Sequence, residues 1–159
     1  MRLRAIAQPQ GTERRYSSIA TVMYRFAIVA SEYNSVIVDR LIAGARRALK
    51  DQEQVNLIRV PGSFEIPLAA KRAALSKKYD AVVALGCVLR GETPHFEYIS
   101  RAVSNGLQRV ALEAGIPVGF GVLTVDTVEQ AMERSGDSGN KGFEAAMAAF
   151  QMIKVLGEI

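Results

Sequence analysis

At 159 residues, 49% of them apolar, the chain has room for one domain with a substantial core and is too apolar for disorder. No run approaches about 18 consecutive apolar residues, which excludes a membrane-spanning helix, and one cysteine with one histidine excludes a disulfide framework or an ordinary zinc site. The net charge of +4 comes from 20 basic and 16 acidic residues, and the first 25 residues (Arg2, Arg4, Arg14, Arg15 and Arg25 against Glu13) account for all of it, so the body has no basic footprint for nucleic acid.

Residues 1–24 read as an N-terminal arm, with an edge strand around Ile19 to Tyr24, ahead of a single domain over 25–159. The arm is poor in acids and lacks the apolar core of a secretory signal; an organelle transit peptide is the alternative. A reducing, cytoplasmic setting fits the lone cysteine.

Arg25 to Ala30 is a buried-type strand, and Asn34 is placed to cap the helix that follows. Val38, Leu41, Ile42, Ala45 and Leu49 give that helix one apolar stripe. Val55 to Val60 is the second strand. Pro61-Gly62 turns the chain, and Ser63 is the expected cap of a helix running through Lys77, with Pro67 tolerated in its first turn. Asp80 to Gly86 is the third strand, apolar throughout after its first residue, as a sheet covered on both faces requires.

Gly86 to Tyr98 (GCVLRGETPHFEY) is the stretch the chain is organised around. A residue before proline avoids the helical region, so Thr93 reads as an N-cap and Pro94 as the first helical residue. Unpaired helix N–H groups and the helix dipole then make a phosphate-sized anion site. His95 lies in the first turn beside it, and histidine is the side chain that exchanges protons near neutral pH.

The next helix carries Phe96, Ile99, Val103, Leu107 and Val110 and stops at Gly115. Pro117 to Thr124 is the fourth strand. Asp126 with Glu129 suggests a capping box for a short helix ending at Gly136. After a polar loop, Asn140 caps a last helix with Phe143, Met147, Phe150 and Ile153 on one side.

Repeated strand–helix alternation predicts an α/β fold: a three-layer α/β/α sandwich around a four-stranded parallel sheet, flavodoxin-like, in order 2-1-3-4. Its ligand crevice would lie at the carboxyl ends of strands one and three. That topology brings Tyr33, Ser63, Phe64, Glu65, Thr93 and His95 to one end.

Each residue also has a plain structural reading. Tyr33 is either rim packing or a platform for a planar heterocycle. Glu65 either compensates a helix dipole or accepts hydrogen bonds from ligand hydroxyls. Arg134 ends a helix, where a cation is expected anyway. Cys87 reads as a small apolar filler, and Phe120 as core.

Four motifs in order, Val60-Pro-Gly-Ser-Phe-Glu-Ile-Pro67, Arg90-Gly-Glu-Thr-Pro-His-Phe-Glu-Tyr98, Gly119-Phe-Gly-Val-Leu-Thr124 and Gly139-Asn-Lys-Gly142, resemble the lumazine synthases of riboflavin biosynthesis. The likeness runs from about Phe26 to Leu156. It implies condensation of 5-amino-6-ribitylaminopyrimidinedione with 3,4-dihydroxy-2-butanone 4-phosphate to 6,7-dimethyl-8-ribityllumazine, with no metal or organic cofactor.

By that likeness Tyr33 stacks on the pyrimidine ring, and Ser63, Phe64 and Glu65 hold the ring and ribityl chain. Cys87, Val88 and Leu89 line the pocket. Glu92 and Thr93 match the phosphate-binding positions, through main-chain N–H groups, and His95 matches the proton-transfer histidine. Phe120 and Arg134 match residues lent to the adjacent subunit, and Lys141 one near the same interface. The family forms pentamers, some closing into sixty-subunit shells, with riboflavin synthase as a further partner. Two features depart from its pattern: Tyr33 stands where Phe or Trp is commoner, and the 135–140 loop is shorter and lacks a lysine. Two other readings are a flavin-binding or shell protein without turnover, which predicts a damaged site, and a generic flavodoxin-like phosphate binder, which leaves the convergence of an aromatic, an acid and a histidine unexplained.

Overall fold

The computed structural model describes residues 22–159. The expected arm lies almost wholly outside them, and Val22 to Tyr24 carry no strand. Four parallel strands, β1 (Arg25–Ser31), β2 (Gln54–Val60), β3 (Ala81–Leu89) and β4 (Val118–Val125), pair in the order β2-β1-β3-β4, as the alternation of elements predicts.

Side chains along the central strands sort by parity. Phe26, Ile28 and Ala30 of β1 join Val83, Leu85 and Cys87 of β3 under α1 (Ser35–Ala48) and α5 (Lys141–Glu158). Ala27, Val29, Val82 and Ala84 face the opposite way, under α2 (Ile66–Leu75) and α3 (His95–Ala114). Both faces are therefore apolar because both are covered, which the run at β3 required.

At the amino end of the sheet, Asp80 clamps Arg25 by its backbone N–H at 2.8 Å and its guanidinium at 3.0 and 3.2 Å, holding β1 in register with β3. These hydrogen bonds from Arg25 hold the Asp80 carboxyl below its ordinary value of 3.8. A carboxyl whose folded value is depressed stabilises the fold in full above its unfolded value. That contribution is lost as pH falls below about 3.8 and through the lower folded value. Acid titration of Asp80→Asn is expected to remove this part of the low-pH loss; a wild-type-like acid profile contradicts it.

Two surfaces differ from the sequence expectation. The last helix does not bury a Phe143–Met147 stripe: Phe143 is exposed, and the buried side is Gly142, Ala145, Ala146 and Ala149, with Phe150 and Ile153 packed at its margin. The cause is closeness. A Cβ on Gly119 would overlap the Ala145 carbonyl and come within 3.3 Å of Ala149, so α5 lies directly on the β4 backbone and only small residues fit. Phe120 is not core either; it stands 49% exposed on the edge strand β4.

The helix ends also shift. α3 begins at His95 with Pro94 in the cap position, because the Pro94 carbonyl accepts the first-turn bonds from Glu97 and Tyr98 at 3.1 and 3.4 Å. Ser63 opens a 3-10 turn, Ser63–Glu65, before α2, which ends at Leu75. α4 (Val128–Arg134) is capped by Thr127, which accepts from the Gln130 N–H at 3.2 Å. The Gln130 side chain accepts from the N–H of Asp126, the residue before the cap, at 2.9 Å, so the expected Asp126–Glu129 box does not form, and the Asp126 carboxylate is engaged by Arg90 instead. Asn140 caps α5 as expected, and Gly115 ends α3 in the left-handed region at φ 69°.

Ser100, on α3, buries a hydroxyl oxygen with no partner among the described residues. An unpaired buried polar atom costs about 1–3 kcal/mol. Ser100→Ala is therefore expected to raise stability by about 1 kcal/mol in urea titration; a loss of stability contradicts it.

Candidate functional site

A cavity of about 830 Å³ opens at the carboxyl ends of β1 and β3. Parallel strands and their crossovers bring three loops to it. After β1, the Glu32 and Tyr33 N–H groups donate to the Val60 and Pro61 carbonyls at 2.8 and 3.2 Å. The first two loops are thereby tied side by side, and Tyr33 is left 73% exposed on the cavity wall. Asn34 follows in the left-handed region at φ 58°, a conformation asparagine tolerates. Its amide does not cap α1 as expected but donates to the Cys87 carbonyl at 2.8 Å, fastening the first loop to the end of β3.

The second loop supplies Gly62, Ser63, Phe64 and Glu65. Gly86 lets this turn come close: a Cβ there would lie 2.8 Å from the Ser63 Oγ and 3.3 Å from the Ser31 Oγ. Ser63 is buried against the strand, while Phe64, 58% exposed, and Glu65 stand out beside it. The third loop supplies Cys87, Val88, Leu89, Arg90, Gly91, Thr93 and His95, and α3 closes the wall with Phe96 and Ile99.

Nine of the residues singled out in the sequence thus line one hollow: Tyr33, Ser63, Phe64, Glu65, Cys87, Val88, Leu89, Thr93 and His95. Four others do not. Glu92 is exposed on the loop outside it. Phe120 borders a smaller hollow of about 330 Å³ with Ser104, Leu107, Gln108, Ala111 and Val118. Arg134 donates to the Gln130 carbonyl of its own helix at 3.1 Å, and Lys141 pairs with Glu144 at 2.6 Å on the surface of α5. The sequence placed the loops that carry Asn34 and Arg90 at the crevice without giving either side chain a role there, and it passed over Phe96 and Ile99 as lining residues. Only Arg90 carried a signal, as a cation inside the loop motif.

Burial pushes the Cys87 thiol up to about 11, so it is protonated at neutral pH and lacks the thiolate a nucleophile requires. Cys87→Ala is expected to keep turnover within about fivefold, and iodoacetamide to label the native protein slowly at pH 7.5; rapid labelling with parallel inactivation contradicts it.

Mixed apolar and polar walls, a histidine and a free helix N-terminus at the carboxyl ends of a parallel sheet define an α/β protein built to hold a small organic molecule with an anionic group. The particular family follows from comparison. The chain belongs to the 6,7-dimethyl-8-ribityllumazine synthase family, whose model matches residues 23–157. It is 50% identical over 140 residues to proteins named 6,7-dimethyl-8-ribityllumazine synthase from Nitratidesulfovibrio vulgaris strains DP4 and Hildenborough, covering 85% of this chain and 90% of each of theirs. The resemblance read from four motifs is the family found. No helix among the described residues is long and apolar enough to cross a membrane.

Proposed function

We propose that the cavity is the site where 5-amino-6-ribitylaminopyrimidinedione and 3,4-dihydroxy-2-butanone 4-phosphate condense to 6,7-dimethyl-8-ribityllumazine, with release of phosphate and water, in the riboflavin pathway. The observation that carries the reading is the convergence of Tyr33, Ser63, Glu65, Thr93 and His95 on one hollow. Tyr33 supplies a flat face for the pyrimidine ring, and Ser63 and Glu65 supply polar groups for the ring edge and ribityl hydroxyls. Phe64 packs beside them, while Cys87, Val88 and Leu89 form the floor.

Glu92 and Thr93 offer their main-chain N–H groups, with the amino end of α3, to the phosphate. His95 moves the protons that imine formation and phosphate departure require. An amine and a ketone react slowly unaided, so placement supplies much of the acceleration. The sequence of condensation and elimination involves no net redox change, and the reading calls for no cofactor.

The site is completed by a neighbour: Phe120 covers the other ring face and Arg134 meets the phosphate, with Lys141 at the same boundary. Two observations support lending rather than local use. Phe120 and Arg134 do not line their own protomer's cavity, and Phe120, Tyr98 and Leu112 expose 49%, 73% and 75% of their surface, an apolar display suited to assembly. The assembly is a cytoplasmic homopentamer, which closes into a sixty-subunit shell in some relatives, with riboflavin synthase as a further partner.

Mixing both substrates with purified protein is expected to produce lumazine fluorescence; riboflavin retention without turnover overturns the enzymatic reading. Sharing between subunits has its own test. His95→Ala and Arg134→Ala proteins, each slowed on its own, are expected to exceed both parents in turnover once dissociated and reassociated together, because some boundaries then hold both intact residues. No recovery with reassembly shown by native mass overturns the shared site.

A further inference from the structure

Arg90 is the cation nearest the anion loop in sequence, yet its guanidinium is already spent. Its Nε donates to the Asp126 carboxylate at 2.6 Å, a terminal nitrogen donates to Glu97 in the first turn of α3, and the group lies 4.2 Å from the Phe96 ring centroid. Its backbone N–H extends the β3–β4 ladder to the Val125 carbonyl at 2.9 Å. One side chain thus joins the end of β3, the start of α3 and the turn that leads into α4.

Exposed ion pairs of this kind add little stability, and the side chains of Arg90, Glu97 and Asp126 remain 44%, 43% and 61% exposed. What they fix is geometry. No hydrogen bond within the described residues ties Gly91, Glu92 or Thr93, and a Cβ on Gly91 would meet nothing within 4 Å. The loop whose amides face the ligand is therefore secured only at its ends, at Arg90 and at α3, and Arg90 holds both.

We infer that Arg90 is a positioning residue: by bridging Asp126 and Glu97 across the Phe96 ring it sets the spacing of the loop amides that receive the phosphate, without touching the phosphate itself. The inference rests on the functional reading above. The fork matters as well as the charge, because an ammonium presents a point charge where the planar guanidinium spans two carboxylates.

The test compares wild type, Arg90→Met, Arg90→Lys and Asp126→Asn in steady-state turnover, with inorganic phosphate as competing anion and phosphate binding by calorimetry. In Arg90→Met, the KM for the phosphorylated ketone and the inhibition constant for phosphate are expected to rise about tenfold, with the KM for the pyrimidine within about twofold. Arg90→Lys and Asp126→Asn are expected to fall between Arg90→Met and wild type. If Arg90→Met does not fold, the Asp126→Asn shift decides. Both KM values rising together with a lowered Tm marks a merely structural role and overturns the inference, as does an unchanged phosphate constant. If wild type makes no lumazine but binds phosphate more tightly than Arg90→Met, the enzymatic reading fails and the positioning role stands. If wild type turns over and phosphate binding is indifferent to Arg90, the reverse holds.

Discussion

Replacing His95 by alanine is expected to slow lumazine formation roughly ten- to thousandfold without abolishing it. The imidazole lines the cavity from an exposed place in the first turn of α3 and makes no hydrogen bond to any described residue. Its removal therefore breaks no contact of the fold, and the thermal midpoint and assembly should stay at wild-type values. On the proposed reading, what disappears is a proton carrier beside the loop that receives the phosphate. What remains is two reactants held together, and that holding accounts for the residual rate. Complete loss of turnover in a correctly assembled variant would mean that proton transfer, rather than placement, dominates the barrier.

The largest effect on stability is expected at Asn140. Its Oδ1 accepts from the Gly142 and Phe143 N–H groups at 2.9 and 3.1 Å, capping α5. Its Nδ2 donates to the carbonyls of Arg40, Ser135 and Gly136 at 3.1, 2.9 and 3.0 Å. The residue is only 3% exposed, so water does not replace these bonds when the side chain is cut back. A lost cap costs about 1 kcal/mol, and each buried group left unpaired about 1–3 kcal/mol, partly relieved by relaxation. Asn140→Ala is expected to lose about 4 kcal/mol in urea titration, and Asn140→Asp nearly as much, since a carboxylate keeps the cap but faces three carbonyls. A loss below about 1 kcal/mol would show that the 135–140 loop is held by other means.

The sheet was legible from the sequence because its signals are local and strong. Unbroken apolar runs at 26–30 and 81–86, separated by helical stripes, leave few alternatives to a parallel sheet, and the crevice follows from strand order. The cavity followed for the same reason: Tyr33, Ser63 and His95 each come just after a strand end. What the sequence hid depends on distance between elements. Nothing local distinguishes Phe143, which faces outward, from Phe150, which packs inward; the closeness of α5 to Gly119 decides it. Asn34 has the residue type of a cap, but the Cys87 carbonyl, 53 positions away, claims its amide. Asp126 likewise cannot serve α4 because Arg90 takes its carboxylate, 36 positions distant. Each displacement reflects a long-range partner outcompeting a local one.

The lining of the cavity comes entirely from Tyr33 to Ile99, whereas Phe120, Arg134 and Lys141 follow it in the chain. A ribosome making this protein therefore emits the pocket walls first and these three residues afterwards. The core nevertheless needs Leu123, Ala131 and Ala146, so those walls stay loose until the last helix has emerged. On the proposed shared site, recognition of a sister chain is accordingly a late event in biogenesis, and truncations that spare every lining residue should still leave the hollow unformed.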